Sequence, residues 1–192
     1  AGATGFWQIL KSTAREYGLE VNSSIDERYD LEKSTEFACN YLKSAYDKFG
    51  SWTMAAASYN MGKNGLQKRV LEQKTNNYFN LKLSSETSEY IFRIVAVKEI
   101  LQNPKKYGFV FREKDLYTMP SFKTIIVDST INDLNEFAIS NSINYKLLKE
   151  KNPWLRTNSL PDESRKIYKI KIPLNTSSLI FGDVKFGIDS LR

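Results

Sequence analysis

Residues 52–59 are almost wholly apolar and small, with three alanines at 55–57. A helix that is apolar on every side cannot run along a surface, so this one belongs in the middle of a helical domain. The chain around it carries the stripes that such a domain needs. Residues 5–17 place Phe6, Ile9, Leu10, Thr13, Ala14 and Tyr17 at helical spacing, and Gly18 supplies a stop. Residues 19–32 read as a polar connection. A second helix is expected from about Ser34, with Phe37, Ala38, Tyr41, Leu42, Ala45, Tyr46 and Phe49 on one face and Gly50 at its end. Cys39 on that helix reads as a small packing residue. The apolar helix ends at Asn60-Met61-Gly62, and a short helix follows over about 65–73. A long helix then starts after Ser84 or Ser85, good N-caps with Glu86 in the first turn. It carries Tyr90, Ile91, Ile94, Val95 and Leu101, and Asn103-Pro104 stops it.

The pattern changes after Gly108. Residues 122–127 read as a strand, and residues 166–172 alternate lysine with Ile167, Tyr168, Ile170 and Ile172 in the period of a second. Two short helical stretches lie between them, near 131–139 and 145–151. Strand, helix, helix and strand within about 55 residues make a compact module. The expected partition is therefore a helical domain over 1–117, a small α+β module over 118–175 and a patternless tail over 176–192. Pro120 and Ser121 mark the boundary.

Composition narrows the chemistry. Histidine is absent and Cys39 is the single cysteine, which removes the commonest general base, an internal disulfide and a cysteine zinc site. No metal or cofactor is expected, and any reaction must use carboxylates, amides, hydroxyls or phenols. Aromatic residues make up 13% of the chain, more than a core of this size requires, and tyrosine and tryptophan faces suit sugar stacking. For most of them a place in the core is the plainer reading. The formal charge of +6 favours anionic polymers, among them nucleic acid and a cell wall carrying peptide carboxylates. The charges are mixed in sign with no long basic run, so nucleic acid is not the expected partner. No apolar stretch approaches the ~18 residues of a membrane span, and no signal peptide is visible.

Four separated segments, in order, carry a family resemblance. Residues 1–9 (Ala-Gly-Ala-Thr-Gly-Phe-Trp-Gln-Ile) resemble the segment that follows the catalytic glutamate of the family 23 lytic murein transglycosylases. Residues 13–19, the run Asp26-Glu27-Arg28 and Ser34-Thr35 continue in the style of that family. Ala56-Ala57-Ser58-Tyr59-Asn60-Met61-Gly62 and Glu86-Thr87-Ser88-Glu89-Tyr90 resemble its later motifs. The C-terminal module is similar to a divergent LysM domain through Ile125-Ile126-Val127-Asp128, Asn152-Pro153-Trp154-Leu155 and residues 168–173, with Asp128-Ser129-Thr130 in place of the usual Gly-Asp-Thr turn. The fold implied is mainly α: a lysozyme-like helical transglycosylase domain followed by a strand-helix-helix-strand LysM-like module.

The resemblance implies cleavage of the β-1,4 bond between N-acetylmuramic acid and N-acetylglucosamine. One carboxylic acid protonates the glycosidic oxygen and then acts as base on the muramyl 6-hydroxyl, closing a 1,6-anhydro ring. No second carboxylate nucleophile is needed, unlike the usual two-carboxylate glycosidase. The family places its acid in a Glu-Ser motif just before the segment that matches residues 1–9. The acid/base glutamate is therefore expected outside these 192 residues, and this stretch alone is expected to be nearly inactive. Glu16, Glu27 and Glu36 fall where the family has no acid.

The residues expected in the groove each have a plainer reading beside them. Gln8 offers an amide to the groove or is an ordinary polar residue. Tyr59 and Asn60 contact sugar and acetamido groups or merely end a helix. Glu86 supports the site or answers the helix dipole, and Tyr90, one turn on, shares its face. Trp7 and Trp52 read as packing residues, and Asn152-Pro153 as a turn. The expected partner is the peptidoglycan glycan strand, the expected place the bacterial cell envelope (periplasmic or bound to the outer membrane), and the expected state a monomer. Membrane anchoring falls to residues upstream. Three other readings stay open: a non-catalytic peptidoglycan binder, a goose-type lysozyme-like hydrolase, and a helical nucleic-acid binder suggested by the basic stretch from Lys105 to Lys114.

Overall fold

The computed structural model describes residues 2–117, 121–161 and 166–174. Its contacts divide the chain into two compact units, one of Ala1–Leu31 with Thr118–Arg192, the other of Glu32–Tyr117. A mainly α-helical part is followed by a small β-α-α-β module, as the periodicities predict. The expected tail over 176–192 lies outside the described residues.

The second unit is helical throughout. Helix α2 (Leu31–Phe49) buries Phe37, Ala38, Tyr41, Ala45 and Phe49, so its stripe is where the spacing put it. It starts three residues before Ser34. Cys39 is exposed rather than packed; it falls on the side of α2 away from Phe37, Tyr41 and Ala45. Helix α3 (Trp52–Met61) follows, with the Ser51 hydroxyl accepting from the Met54 amide at 3.3 Å as its N-cap. Helix α4 (Lys63–Gln73) packs on α3, and so does α5 (Ser85–Gln102). The segment 52–59 thus stands between neighbours, as its composition demanded. Met54, Ala55, Ala57 and Ser58 have no solvent exposure at all. Enlarging either alanine would therefore overpack the centre at a cost of ~1–3 kcal/mol.

Two expectations for this unit fail. Trp52 is 60% exposed, held against Tyr46 with ring centroids 4.5 Å apart. In α5 only Thr87 is buried, while Ile94, Val95 and Leu101 of the expected stripe are exposed. The helix packs on α3 near its start and on the 3₁₀ turn Pro104–Tyr107 near its end. Of its apolar middle, Phe92 meets Phe79 edge-on with ring centroids 6.4 Å apart, yet Ile94, Val95 and Val97 stay exposed.

In the other unit, residues 2–10 are not the helix that the 5–17 stripe suggested. Thr4 and Ile9 exchange backbone hydrogen bonds at 3.1 and 3.0 Å around a tight turn, and α1 is only Lys11–Glu16. Gly5 enforces this. It has φ +78°, and a Cβ there would lie 2.0 Å from the Arg28 carbonyl oxygen. Arg28 itself is buried, ion-paired with Asp26 at 2.7 Å, and donates to the Gly2 and Ile9 carbonyls at 3.1 and 3.0 Å.

Strand β1 (Phe122–Val127) pairs antiparallel with β2 (Tyr168–Pro173), Phe122 opposite Pro173 and Val127 opposite Tyr168. Helices α6 (Leu134–Ser140) and α7 (Tyr145–Lys151) connect them. Tyr168, Ile170 and Ile172 point inward and Lys169 outward, the alternation expected of a half-buried strand. With Leu134, Leu148, Trp154 and Leu160 they form one core, and Ile25 from the N-terminal segment is part of it, 1% exposed. The Asp26 amide donates to the Trp154 carbonyl and the Arg156 amide to that of Ser24, at 2.9 and 2.8 Å. Glu20 accepts from Lys166 and from the Tyr168 hydroxyl at 3.1 and 3.2 Å. Residues 20–29 are therefore built into the fold of the C-terminal module. The sequence partition into 1–117 and 118–175 describes modules along the chain; the compact units describe the chain in space.

Candidate functional site

Four of the five residues singled out from the sequence meet where the end of α3 faces the start of α5. Asn60 occupies the last turn of α3, which Gly62 closes at φ +83°. Glu86 and Thr87 occupy the first turn of α5, set by Ser84 as N-cap. The Asn60 Nδ2 donates to Glu86 Oε1 at 3.0 Å, and the Thr87 hydroxyl donates to Asn60 Oδ1 at 2.7 Å. A single amide therefore bridges two segments that are 26 residues apart. Glu86 is exposed and Asn60 half-buried, while Thr87 beneath them is 1% exposed.

Tyr59 and Tyr90 flank the bridge, both half-buried. Burial, reinforced by Tyr90 and then Tyr41, holds the Tyr59 phenol well above the ordinary tyrosine range. Burial alone raises Tyr90. Both rings are neutral donors across the physiological range, each with an apolar face and a polar tip. Behind Tyr59, the Tyr41 ring meets it edge-on at 5.3 Å, and the Tyr41 hydroxyl donates to the Ser58 carbonyl at 2.9 Å. Lys63 lies over the other side of Tyr41, its Nζ 4.3 Å from the ring centroid. Tyr78, buried, shares its one hydroxyl proton between the Thr87 and Ser88 carbonyl oxygens at 2.9 and 2.6 Å, which holds the first turn of α5. Next to the N-cap, an open depression of about 500 Å³ is lined by Arg69, Glu72, Gln73, Lys82, Leu83 and Ser84.

Gln8 stands in the other unit. It is exposed, has φ +50°, and its Nε2 donates to the Gly5 carbonyl at 2.8 Å, so part of its amide is spent on its own turn. Trp7 is half-buried beside Phe6, at 5.9 Å between ring centroids. The carboxylates Glu16 and Glu36 are exposed, and Glu27 is buried with its Oε2 accepting from the Glu20 amide at 2.7 Å. Asn152 is more than a turn residue. Fully buried, it donates to the Leu148 and Lys171 carbonyls and accepts from the Lys171 amide, at 2.9, 2.8 and 2.8 Å.

Sequence reasoning quoted Thr87 within its motif but gave it no role. The available signal was a hydroxyl three residues after a serine N-cap, next to the Glu86 expected to support the site. Tyr41 and Lys63 had no such signal. Among the described residues, no group of three or more His, Cys, Asp or Glu could hold a metal ion, and no helix is long and apolar enough to cross a membrane.

Residues 1–82 match the transglycosylase SLT domain, and residues 123–176 match the soluble lytic transglycosylase C-terminal LysM-like domain. Over 113 residues the chain is 35% identical to the membrane-bound lytic murein transglycosylase D of Escherichia coli (strain K12), which covers 56% of this chain and 25% of that protein. The protein of the same name from Escherichia coli O6:H1 matches to the same extent. A putative tributyltin chloride resistance protein of Alteromonas sp. (strain M-1) is 23% identical over 132 residues, 66% of this chain and 64% of that protein. The chain thus spans a quarter of the length of the curated murein transglycosylases it matches.

Proposed function

For a chain that carries a family 23 lytic transglycosylase (SLT) domain with a C-terminal LysM-like module, we propose a role in lytic transglycosylation of peptidoglycan in the bacterial cell envelope. The bond cut is the β-1,4 link from N-acetylmuramic acid to N-acetylglucosamine, and the product carries a 1,6-anhydro ring. The observation that carries this reading is the Asn60–Glu86 hydrogen bond at 3.0 Å, which joins the two motif segments into one polar face with Tyr59 and Tyr90 beside it.

That face offers what a glycan needs. Neutral tyrosines stack on or donate to sugar rings, and an amide supplies both a donor and an acceptor to an acetamido group. Glu86 acts as a supporting carboxylate, orienting Asn60 and adding negative charge near the oxocarbenium-like state. Gln8, in the other unit, offers an amide of its own to a glycan. None of the carboxylates of this sequence is assigned the acid/base role, which belongs to a glutamate in a Glu-Ser motif N-terminal to the segment that residues 1–9 match. The LysM-like module adds a second, weaker hold on the glycan and so raises the effective concentration of substrate.

The test is mass spectrometry of muropeptides released from purified peptidoglycan, by this chain and by the chain extended before Ala1 with a glutamate-bearing helix of the family. The expected result is 1,6-anhydro products from the extended chain alone. Release by the 192 residues as they stand would move the acid inside the sequence and overturn the assignment. Products carrying a free reducing end would identify a hydrolase. Binding to the sacculus with no release from either chain would identify a non-catalytic binder.

A further inference from the structure

The hydrogen bonds under Asn60 run in one direction. The Thr87 hydroxyl has one proton, and it goes to Asn60 Oδ1 at 2.7 Å. Ser84 Oγ lies 3.0 Å from Thr87 Oγ1, so the serine must be the donor of that pair. Ser84 in turn accepts from the Thr87 amide at 3.4 Å. The chain therefore passes from Ser84 to Thr87 to Asn60 to Glu86. Turning the Asn60 amide over would set its oxygen 3.0 Å from Glu86 Oε1, acceptor facing acceptor, so Glu86 decides the order of the amide, and the Thr87 hydroxyl grips its inner end. Water cannot stand in, because Thr87 is 1% exposed.

We propose that Thr87 is a positioning residue: its hydroxyl anchors the inner end of the Asn60 amide, whose order Glu86 sets, and so holds the donor and acceptor in place for an incoming acetamido group. This rests on the glycan reading of the site above and deepens it. An acetamido group has one donor and one acceptor in fixed places, so an amide that swings on one anchor presents its own pair out of position part of the time. Glu86 holds one side of the amide and Thr87 the other. Losing the hydroxyl leaves a single anchor on a side chain that is half open to solvent.

The experiment compares the chain with Thr87→Val, which keeps the shape and loses the hydroxyl, and with Thr87→Ser, which keeps the hydroxyl. Two quantities are read: the ¹H–¹⁵N signals of the Asn60 side-chain amide, and affinity for a β-1,4-linked tetramer of N-acetylglucosamine. In the parent chain the two Nδ2 protons should be widely separated and slow to exchange with water. Thr87→Val should collapse that separation and weaken binding about tenfold, the equivalent of ~1.4 kcal/mol; Thr87→Ser should keep the signals and bind within about twofold. If Thr87→Val does not fold, Thr87→Ala supplies the same comparison. Unchanged Asn60 signals without the hydroxyl would overturn the positioning role. Changed signals with unchanged affinity would overturn its link to recognition. A parent chain that shows the signals and the response to Thr87→Val but binds no tetramer would sink the glycan reading and leave the positioning intact.

Discussion

Asn152 closes the junction between α7 and β2, and Asn60 closes the one between α3 and α5, but the two amides find their partners differently. Asn152 has no exposure and bonds only to backbone, at Leu148 and Lys171. Asn60 is half open and bonds only to side chains, those of Thr87 and Glu86. Backbone partners are present whatever the neighbouring residues are, so the first arrangement is a device of the fold. Side-chain partners have to be chosen residue by residue, and here they leave part of the amide facing outward. The second arrangement costs specificity of sequence and gives a surface able to recognise something.

Substitutions break this comparison in graded ways. The largest loss is expected at Arg28, another buried polar closure of the unit that contains Asn152: Arg28→Ala strands Asp26 beside the 2–9 turn and should cost ~3–5 kcal/mol of unfolding free energy in a denaturant titration. Asn152→Leu takes the side-chain acceptor from the half-buried Lys171 amide, and ~1–3 kcal/mol should go with no new effect on the α3–α5 junction. Asn60→Leu should invert that result, with ~1 kcal/mol or less lost from stability but retention on purified peptidoglycan reduced. Equal stability losses at the two asparagines would erase the distinction between them.

Titration separates the regions further. The Tyr59 phenol is held above its ordinary range, so the folded chain keeps that proton after the unfolded chain has released it. Fewer protons are then bound in the unfolded state, and stability should fall as pH rises above about 10, the ordinary tyrosine value. Below it the contribution is fully present. Tyr59→Phe should flatten the alkaline arm of a stability-against-pH curve, and a curve unchanged by the substitution would place the alkaline loss elsewhere. The smallest effect is expected at the exposed Cys39, where Cys39→Ser should stay within ~0.5 kcal/mol.

The elements most legible in the sequence are those where local pattern and tertiary position agree. The alternation at Tyr168, Ile170 and Ile172 could serve only one face of a strand, and the alanines at 55–57 allowed only a central helix. The stripe of residues 5–17 misled because periodicity cannot see Gly5 forced against the Arg28 carbonyl, a contact 23 residues away. The apolar positions of α5 misled for the opposite reason: spacing says that a face exists, not that a described neighbour covers it. At the site, Asn60 and Glu86 were legible through their motifs, and the structure joins them directly. Thr87 stayed silent because its importance lies in a bond to a residue 27 positions earlier, which no local pattern encodes.

Ile25 and its neighbours bear on how this protein can be dissected. A truncation ending at residue 117 follows a natural break in the sequence, yet it would remove Leu155 and Trp154 from around Ile25 and both Lys166 and Tyr168 from Glu20. The stump would display an isoleucine and a cluster of carboxylates that had been shielded, and its first 31 residues would lose the core that Ile25 shares with the module. Losing retention on peptidoglycan in such a truncated form would then report a disturbed N-terminal segment rather than a missing glycan binder. Point changes on the outward side of β2, at Lys169 for instance, leave that packing alone and are the sounder means of asking what the module holds.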